Sequence, residues 1–193
     1  GAADRDEDGG IAQGQRLRRR PIEVRHGVER PAVEVTATEV PPLFEDNHGL
    51  SGGAIMTCSS ALIIEDCVFR NNSAEYYGGA IFFDEGTSAT VVGCDLVRNT
   101  ADFGAGIAVW NLPLAESPVL VRCTIAGNVS TTQGGGSFNG GTFHSCIVRD
   151  NVSLVGGGFY TERPLELRHC TVTGNSAMEG NALYRPRYNK ESW

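Results

Sequence analysis

The stretch "CVFRNNSAEYYGGAIFF" (residues 67–83) decides how this sequence is read. It holds Cys67, an apolar Phe69 two places on, Asn72 five places on, and a glycine pair opening a short apolar run. The same order returns along the chain. Cys94, Cys123, Cys146 and Cys170 are each followed five residues later by an asparagine: Asn99, Asn128, Asn151 and Asn175. Leu96, Ile125, Val148 and Val172 take the place of Phe69. A small-residue motif then follows each asparagine: GGAI (78–81), GAGI (104–107), GGSF (135–138), GGGF (156–159) and GNAL (180–183). One further GGAI (52–55) follows Asn47. From Asn72 onward, successive asparagines lie 27, 29, 23 and 24 residues apart.

A period in the twenties built from short alternating segments indicates a solenoid of strands. Two-helix repeats need more residues and fewer glycines, and the leucine ladder of leucine-rich repeats is missing. Each period lays out as one coil of three short strands. The first ends the glycine motif, the second is "ALII" (61–64), "TVV" (90–92), "PVLV" (118–121) or "LEL" (165–167), and the third carries the cysteine. Equivalent strands of successive coils then pair about 4.8 Å apart, and equivalent side chains stack in ladders. The expected fold is all-β: a right-handed, single-stranded parallel β-helix of about six coils over residues 47–193.

The residue types have reasons in that fold. Glycine lets the backbone turn where a β-carbon would meet neighbouring coils. Cysteine is small and suited to burial. Asparagine can bond both to the next asparagine and to turn backbone that would otherwise stay unpaired. No C-x-x-C spacing occurs among the six cysteines, so a zinc ribbon is not expected. Their stacked α-carbons fall within reach of a disulfide, but parallel side chains suit its dihedral poorly. Buried free thiols are therefore expected, with an occasional bridge as the alternative. Cys58, off the ladder, is the candidate for a reactive or paired thiol.

The repeats resemble those of the chlamydial polymorphic outer membrane proteins, which are marked by GGA-[ILV] and F-x-x-N. GGAI occurs verbatim at 52–55 and 78–81, and "FRNN" (69–72) is a verbatim F-x-x-N. The likeness spans residues 47–184, and pectate-lyase-like β-helix enzymes look similar in outline. It implies an extracellular or outer-surface location and a binding or adhesive role.

Residues 1–46 show no repeat and no cysteine. "IEV" (22–24) and "VEVTATEV" (33–40) alternate enough for strands, so this charged segment is either an irregular cap or a disordered lead. Asp4, Asp6, Asp8 and Gly9 open like a calcium loop, but Gln15 stands where a bidentate glutamate is needed. A solvated acidic run is the simpler reading. "RLRRR" (16–20) is the only basic cluster in a chain of net charge −7 and pI about 5.1, so no nucleic-acid partner is expected. No apolar run is long enough for a membrane-spanning helix.

Three sequons, at Asn71, Asn128 and Asn151, read as by-products of the repeat, with the last two in ladder positions. His144 and His169 sit near ladder cysteines and read as structural. No catalytic residue, metal or cofactor is assigned.

Ile55, Ile81, Ile107, Phe138, Phe159 and Leu183 are expected to face inward, which turns Met56, Phe82, Ala108, Asn139, Tyr160 and Tyr184 outward. Phe82, Tyr160 and Tyr184 are thus the candidate binding residues, a platform for a polysaccharide or a cell-surface protein. The variable turns at 84–89, 111–118, 139–141 and 161–164 leave the same edge. The function expected is a secreted or cell-surface module, part of a longer polypeptide, for structural display, adhesion or carbohydrate or protein binding. A polysaccharide lyase or glycoside hydrolase is the alternative. It would require acidic and basic groups aligned on the outer first sheet, but Asp84 and Glu85 have only "VWN" (109–111) opposite them in the next coil.

Overall fold

The computed structural model describes residues 22–24, 33–36, 40–110 and 117–187. The acidic run at 4–9, the basic cluster at 16–20 and most of the 111–118 turn lie outside the described residues. Everything described is strand, turn or irregular backbone, and every strand pairing is parallel. Among the described residues no helix is long and apolar enough to cross a membrane.

Four stacked sheets form the walls of a β-solenoid of about six turns. Sheet 1 contains Ile22–Val24, Ile55–Thr57, Ile81–Phe83, Ile107–Val109, Ser137–Phe138, Phe159–Tyr160 and Leu183–Tyr184. Sheet 2 contains Val33–Val35, Ala61–Glu65, Ser88–Val92, Val119–Val121, Gly141–His144 and Leu165–Arg168. Sheet 3 contains Leu43–Glu45, Val68–Arg70, Asp95–Val97, Thr124–Ala126, Ile147–Arg149 and Thr171–Thr173. Sheet 4 contains His48–Ser51, Ser73–Tyr77, Thr100–Phe103 and Val129–Gln133, and isolated bridges through Val152 and Val155 carry it on. The strands at 22–24, 33–35 and 43–45 pair with the coil at 55–70.

Sheet 4 departs from the three-strand coil expected. Its strands follow the ladder asparagine, and their register shifts part-way along. The shift breaks the two-residue alternation by which a strand is recognised.

The interior is a column of ladders. Ile55, Ile81, Ile107 and Phe159 of sheet 1 meet Ile64, Val91, Leu120 and Phe143 of sheet 2 and Phe69, Leu96, Ile125 and Val148 of sheet 3, all buried. Phe44 stacks on Phe69 at 4.7 Å between ring centres. The asparagine ladder closes the corner between sheets 3 and 4. Asn72 Oδ1 accepts from Asn47 Nδ2 at 2.8 Å, and the pattern repeats from Asn72 to Asn99 (3.0 Å), Asn99 to Asn128 (3.0 Å), Asn128 to Asn151 (2.9 Å) and Asn151 to Asn175 (2.9 Å). The same oxygens also accept the preceding asparagine's backbone N–H. From Asn72 on, Nδ2 reaches back to a sheet 3 carbonyl of the preceding coil as well. The corner between sheets 4 and 1 is glycine. Gly78 has φ +65°, and a β-carbon on Gly79 would stand 2.4 Å from the carbonyl oxygen of Ala105 in the next coil. Side chains are thus excluded there by both conformation and space.

Candidate aromatic cleft

The glycine corner bends sheets 4 and 1 toward each other on the outside of the tube. The outward ladder of sheet 1 is Met56, Phe82, Ala108, Phe138, Tyr160 and Tyr184, held in register across the coils. It includes Phe138, which the sequence pattern placed inside, and leaves out Asn139, which that pattern placed outside. In this coil the glycine with positive φ is Gly134, so Ser137 takes the inward place of Ile81 and Ile107. A one-residue slip in a strand exchanges its two faces.

The outward residues are not bare. Phe82, Ala108, Phe138 and Tyr160 are buried in a second apolar cluster, separate from the core, with Met56, Tyr77, Phe103, Val155 and Tyr184 packed against it. Tyr77 and Phe103 close sheet 4 strands just before the corner glycine, so they lean across the bend. Tyr77 lies 5.4 Å from Phe82, 5.1 Å from Phe103 and 5.1 Å from Trp110, centre to centre. Phe138 continues the stack to Tyr160 at 5.4 Å, and Tyr160 to Tyr184 at 5.7 Å. These separations are those of favourable ring pairs. Of the three residues singled out from sequence, Phe82 and Tyr160 lie within this stack and Tyr184 extends it.

Above the stack opens a cleft of about 370 Å³. Tyr77, Phe103, Trp110 and Phe138 line its apolar side, and Gln133, Asn139, Glu162 and Arg163 its polar side. Trp110 is 43% exposed. The polar side is held in place. Tyr160 Oη donates to Glu162 Oε1 at 2.9 Å, and the Glu162 N–H donates to Asn139 Oδ1 at 3.1 Å. Thr161 brackets the same loop: its hydroxyl donates to the Arg163 carbonyl (2.7 Å) and accepts the Arg163 N–H (3.0 Å). Tyr77 and Phe103 do not stand out through the repeat motif. Their one mark in the sequence is an aromatic immediately before the corner glycine in successive coils.

The cysteines offer no comparable site. All six are free, and Cys67, Cys94, Cys123 and Cys146 are buried. Their thiols donate to carbonyls in the same coil and the one before. For Cys94, contact with Cys123 acts downward, but contact with Cys67 and burial outweigh it and push the thiol up to about 12. In Cys123 contact with Cys146 is likewise outweighed by contact with Cys94 and burial, and the thiol again rises to about 12. Contact with Cys123, reinforced by burial, raises Cys146 as well. Among the described residues no three His, Cys, Asp or Glu side chains gather to hold a metal.

Comparison with known proteins bears on this architecture. Residues 66–84 match the Chlamydia polymorphic membrane protein repeat. The match covers the coil from just before Cys67 to just past Phe83, including Asn72 and the glycine corner. The chain is a β-helix repeat protein whose repeats resemble those of that family. It is also 29% identical over 135 residues, 67% of its length, to a metabotropic glutamate receptor-like protein R of Dictyostelium discoideum. The aligned part is 8% of that relative's length. No solved structure matches the chain.

Proposed function

We propose that this chain is a β-helix module of a secreted or cell-surface protein and that it binds its ligand in the aromatic cleft between sheets 4 and 1. The observation that carries the reading is Trp110, well exposed above a stack of buried rings and facing anchored polar groups. Large aromatic surface left open to water in a concave place, with a few fixed polar groups, is the usual make-up of a binding site. The polymorphic membrane protein repeat and the receptor-like relative support placement at a cell surface. Among the described lining residues Glu162 is the only carboxylate, an arrangement suited to recognition more than to paired-carboxylate hydrolysis.

The test is a parallel screen of the wild type and Trp110→Ala against arrayed glycans and cell-surface proteins. The module should retain ligands that the variant loses, while both unfold at the same temperature. Identical binding profiles would sink the proposal.

A further inference from the structure

The two sides of the cleft demand a ligand with two unlike faces. We infer, building on the binding reading above, that the ligand is a neutral pyranose ring with adjacent free hydroxyls, its C–H face on the rings and its hydroxyl edge toward Glu162 and Asn139.

The apolar side supplies ring faces. Trp110, 43% exposed, offers the open face, and the buried Phe138 backs it, nearly parallel at 12° with centres 6.4 Å apart. The polar side supplies a fixed acceptor and a fixed donor. Glu162 is anchored through Oε1 by Tyr160, and a carboxylate serves as a hydrogen-bond acceptor. Asn139 already uses Oδ1 on the Glu162 N–H, which leaves its Nδ2 to donate. A carboxylate and an amide N–H₂ lining one side of the cleft match a vicinal diol, because each hydroxyl both donates and accepts. The anchoring by Tyr160 and the Thr161 bracket sets these groups before any ligand arrives, which lowers the ordering cost of binding.

Other ligand classes fit less well. A flat apolar molecule would cover the rings but strip water from Glu162 without giving it a donor, and that is unfavourable. The described lining holds one carboxylate, Glu162, and one guanidinium, Arg163, so it carries no net charge to draw an anion, and an anionic group on the Glu162 side would meet like charge. The cleft, at about 370 Å³, lies near the small end of ligand sites of roughly 300–1,000 Å³ and suits a short stretch of sugar better than a peptide strand.

The experiment follows the fluorescence of Trp110 in a Trp193→Phe background, which leaves Trp110 as the sole indole in the chain. One arm titrates a panel of neutral methyl pyranosides and their short oligosaccharides, together with deoxy analogues lacking one of two adjacent hydroxyls. A second arm titrates an apolar dye that needs only the rings. At least one pyranoside should change the emission, its deoxy analogue should bind more weakly, and Glu162→Gln should weaken the sugar by about tenfold or more, as expected for a lost bond to a charged group. The dye should bind Glu162→Gln as it binds the parent. Dye binding with no response to any pyranoside would overturn the sugar assignment and leave the cleft as a binding site. Failure of both arms would overturn the cleft itself. Sugar binding that is unchanged by Glu162→Gln and by loss of a hydroxyl would refute the polar contacts proposed here.

Discussion

Replacing Asn128 by alanine tests whether the ladder holds the coils together. Asn128 is fully buried, and its side chain makes four hydrogen bonds. Oδ1 accepts the Asn99 N–H at 2.9 Å and Asn99 Nδ2 at 3.0 Å, while Nδ2 donates to Leu96 O at 3.0 Å and Asn151 Oδ1 at 2.9 Å. Alanine removes all four. Asn151 Oδ1 keeps the backbone N–H of residue 128, but two donors on Asn99 lose their acceptor in a place closed to solvent. Each buried unsatisfied group costs about 1–3 kcal/mol, which sets the loss at about 2–6 kcal/mol. For a chain of this size about 1 kcal/mol corresponds to a fall of about 2–4 °C in Tm, so a mid-range loss of about 4 kcal/mol is a fall of roughly 8–16 °C. Urea and thermal unfolding followed by circular dichroism measure both quantities. Asn175→Ala is the internal comparison, because Asn175 is only half-buried and water can replace what it loses; its effect should be clearly smaller. An Asn128→Ala stability within about 0.5 kcal/mol of the wild type would refute a ladder that bonds in a dry interior.

Three shorter tests address other parts of the molecule. Ser137 Oγ is buried without a partner, so Ser137→Ala should leave stability unchanged or raise it by up to about 1 kcal/mol, read from the same urea curves; a clear loss would mean the hydroxyl is bonded. An aromatic disulfide reagent at pH 8 should label Cys58 first and leave Cys94, Cys123 and Cys146 unlabelled until the chain unfolds, since burial and raised pKa values keep those thiols protonated and closed; their labelling in the native state would contradict the ladder. In a host that N-glycosylates secreted chains, folded protein should carry sugar at the exposed Asn71 alone, because both Nδ2 hydrogens of Asn128 and of Asn151 are bonded inside the solenoid. Peptide mass spectrometry of folded material showing occupied Asn128 would refute that.

The ladders were legible in the sequence because each is written once per coil. Cys67, Phe69 and Asn72 gain meaning only through their counterparts in later coils, and a position under the same constraint each turn keeps the same kind of residue. The fourth sheet was not legible, since "SAEYY", "TADF" and "VSTTQ" have no residue type common to all three and no unbroken alternation. Their strands exist because the asparagine corner delivers the chain onto the growing edge of a sheet, where a neighbour's carbonyls are waiting. That is a property of the stack and not of any one segment. The burial of Phe82 and Tyr160 has the same origin. A strand's own pattern tells which side of the sheet a residue faces, but not whether another sheet bends over that side.

The register of the fourth glycine motif shows how close the site was to being readable. Taking the motif at 135–138 puts its first glycine seven residues after Asn128. Taking Gly134 instead makes the distance six, as between Asn72 and Gly78, against five in the four remaining coils of the ladder. The asparagine fixes one corner and the positive-φ glycine fixes the next, so the chain between them has little room to vary. Counted from Gly134, Ser137 falls inside and Phe138 outside on spacing alone. Phe138 is the ring that joins Tyr77, Phe103 and Trp110 to Tyr160. A single residue of register therefore separates a scattered set of surface aromatics from a continuous stack with a cleft above it. In a solenoid, the spacing between corners is a better guide to the binding face than the motif that first draws attention to the repeat.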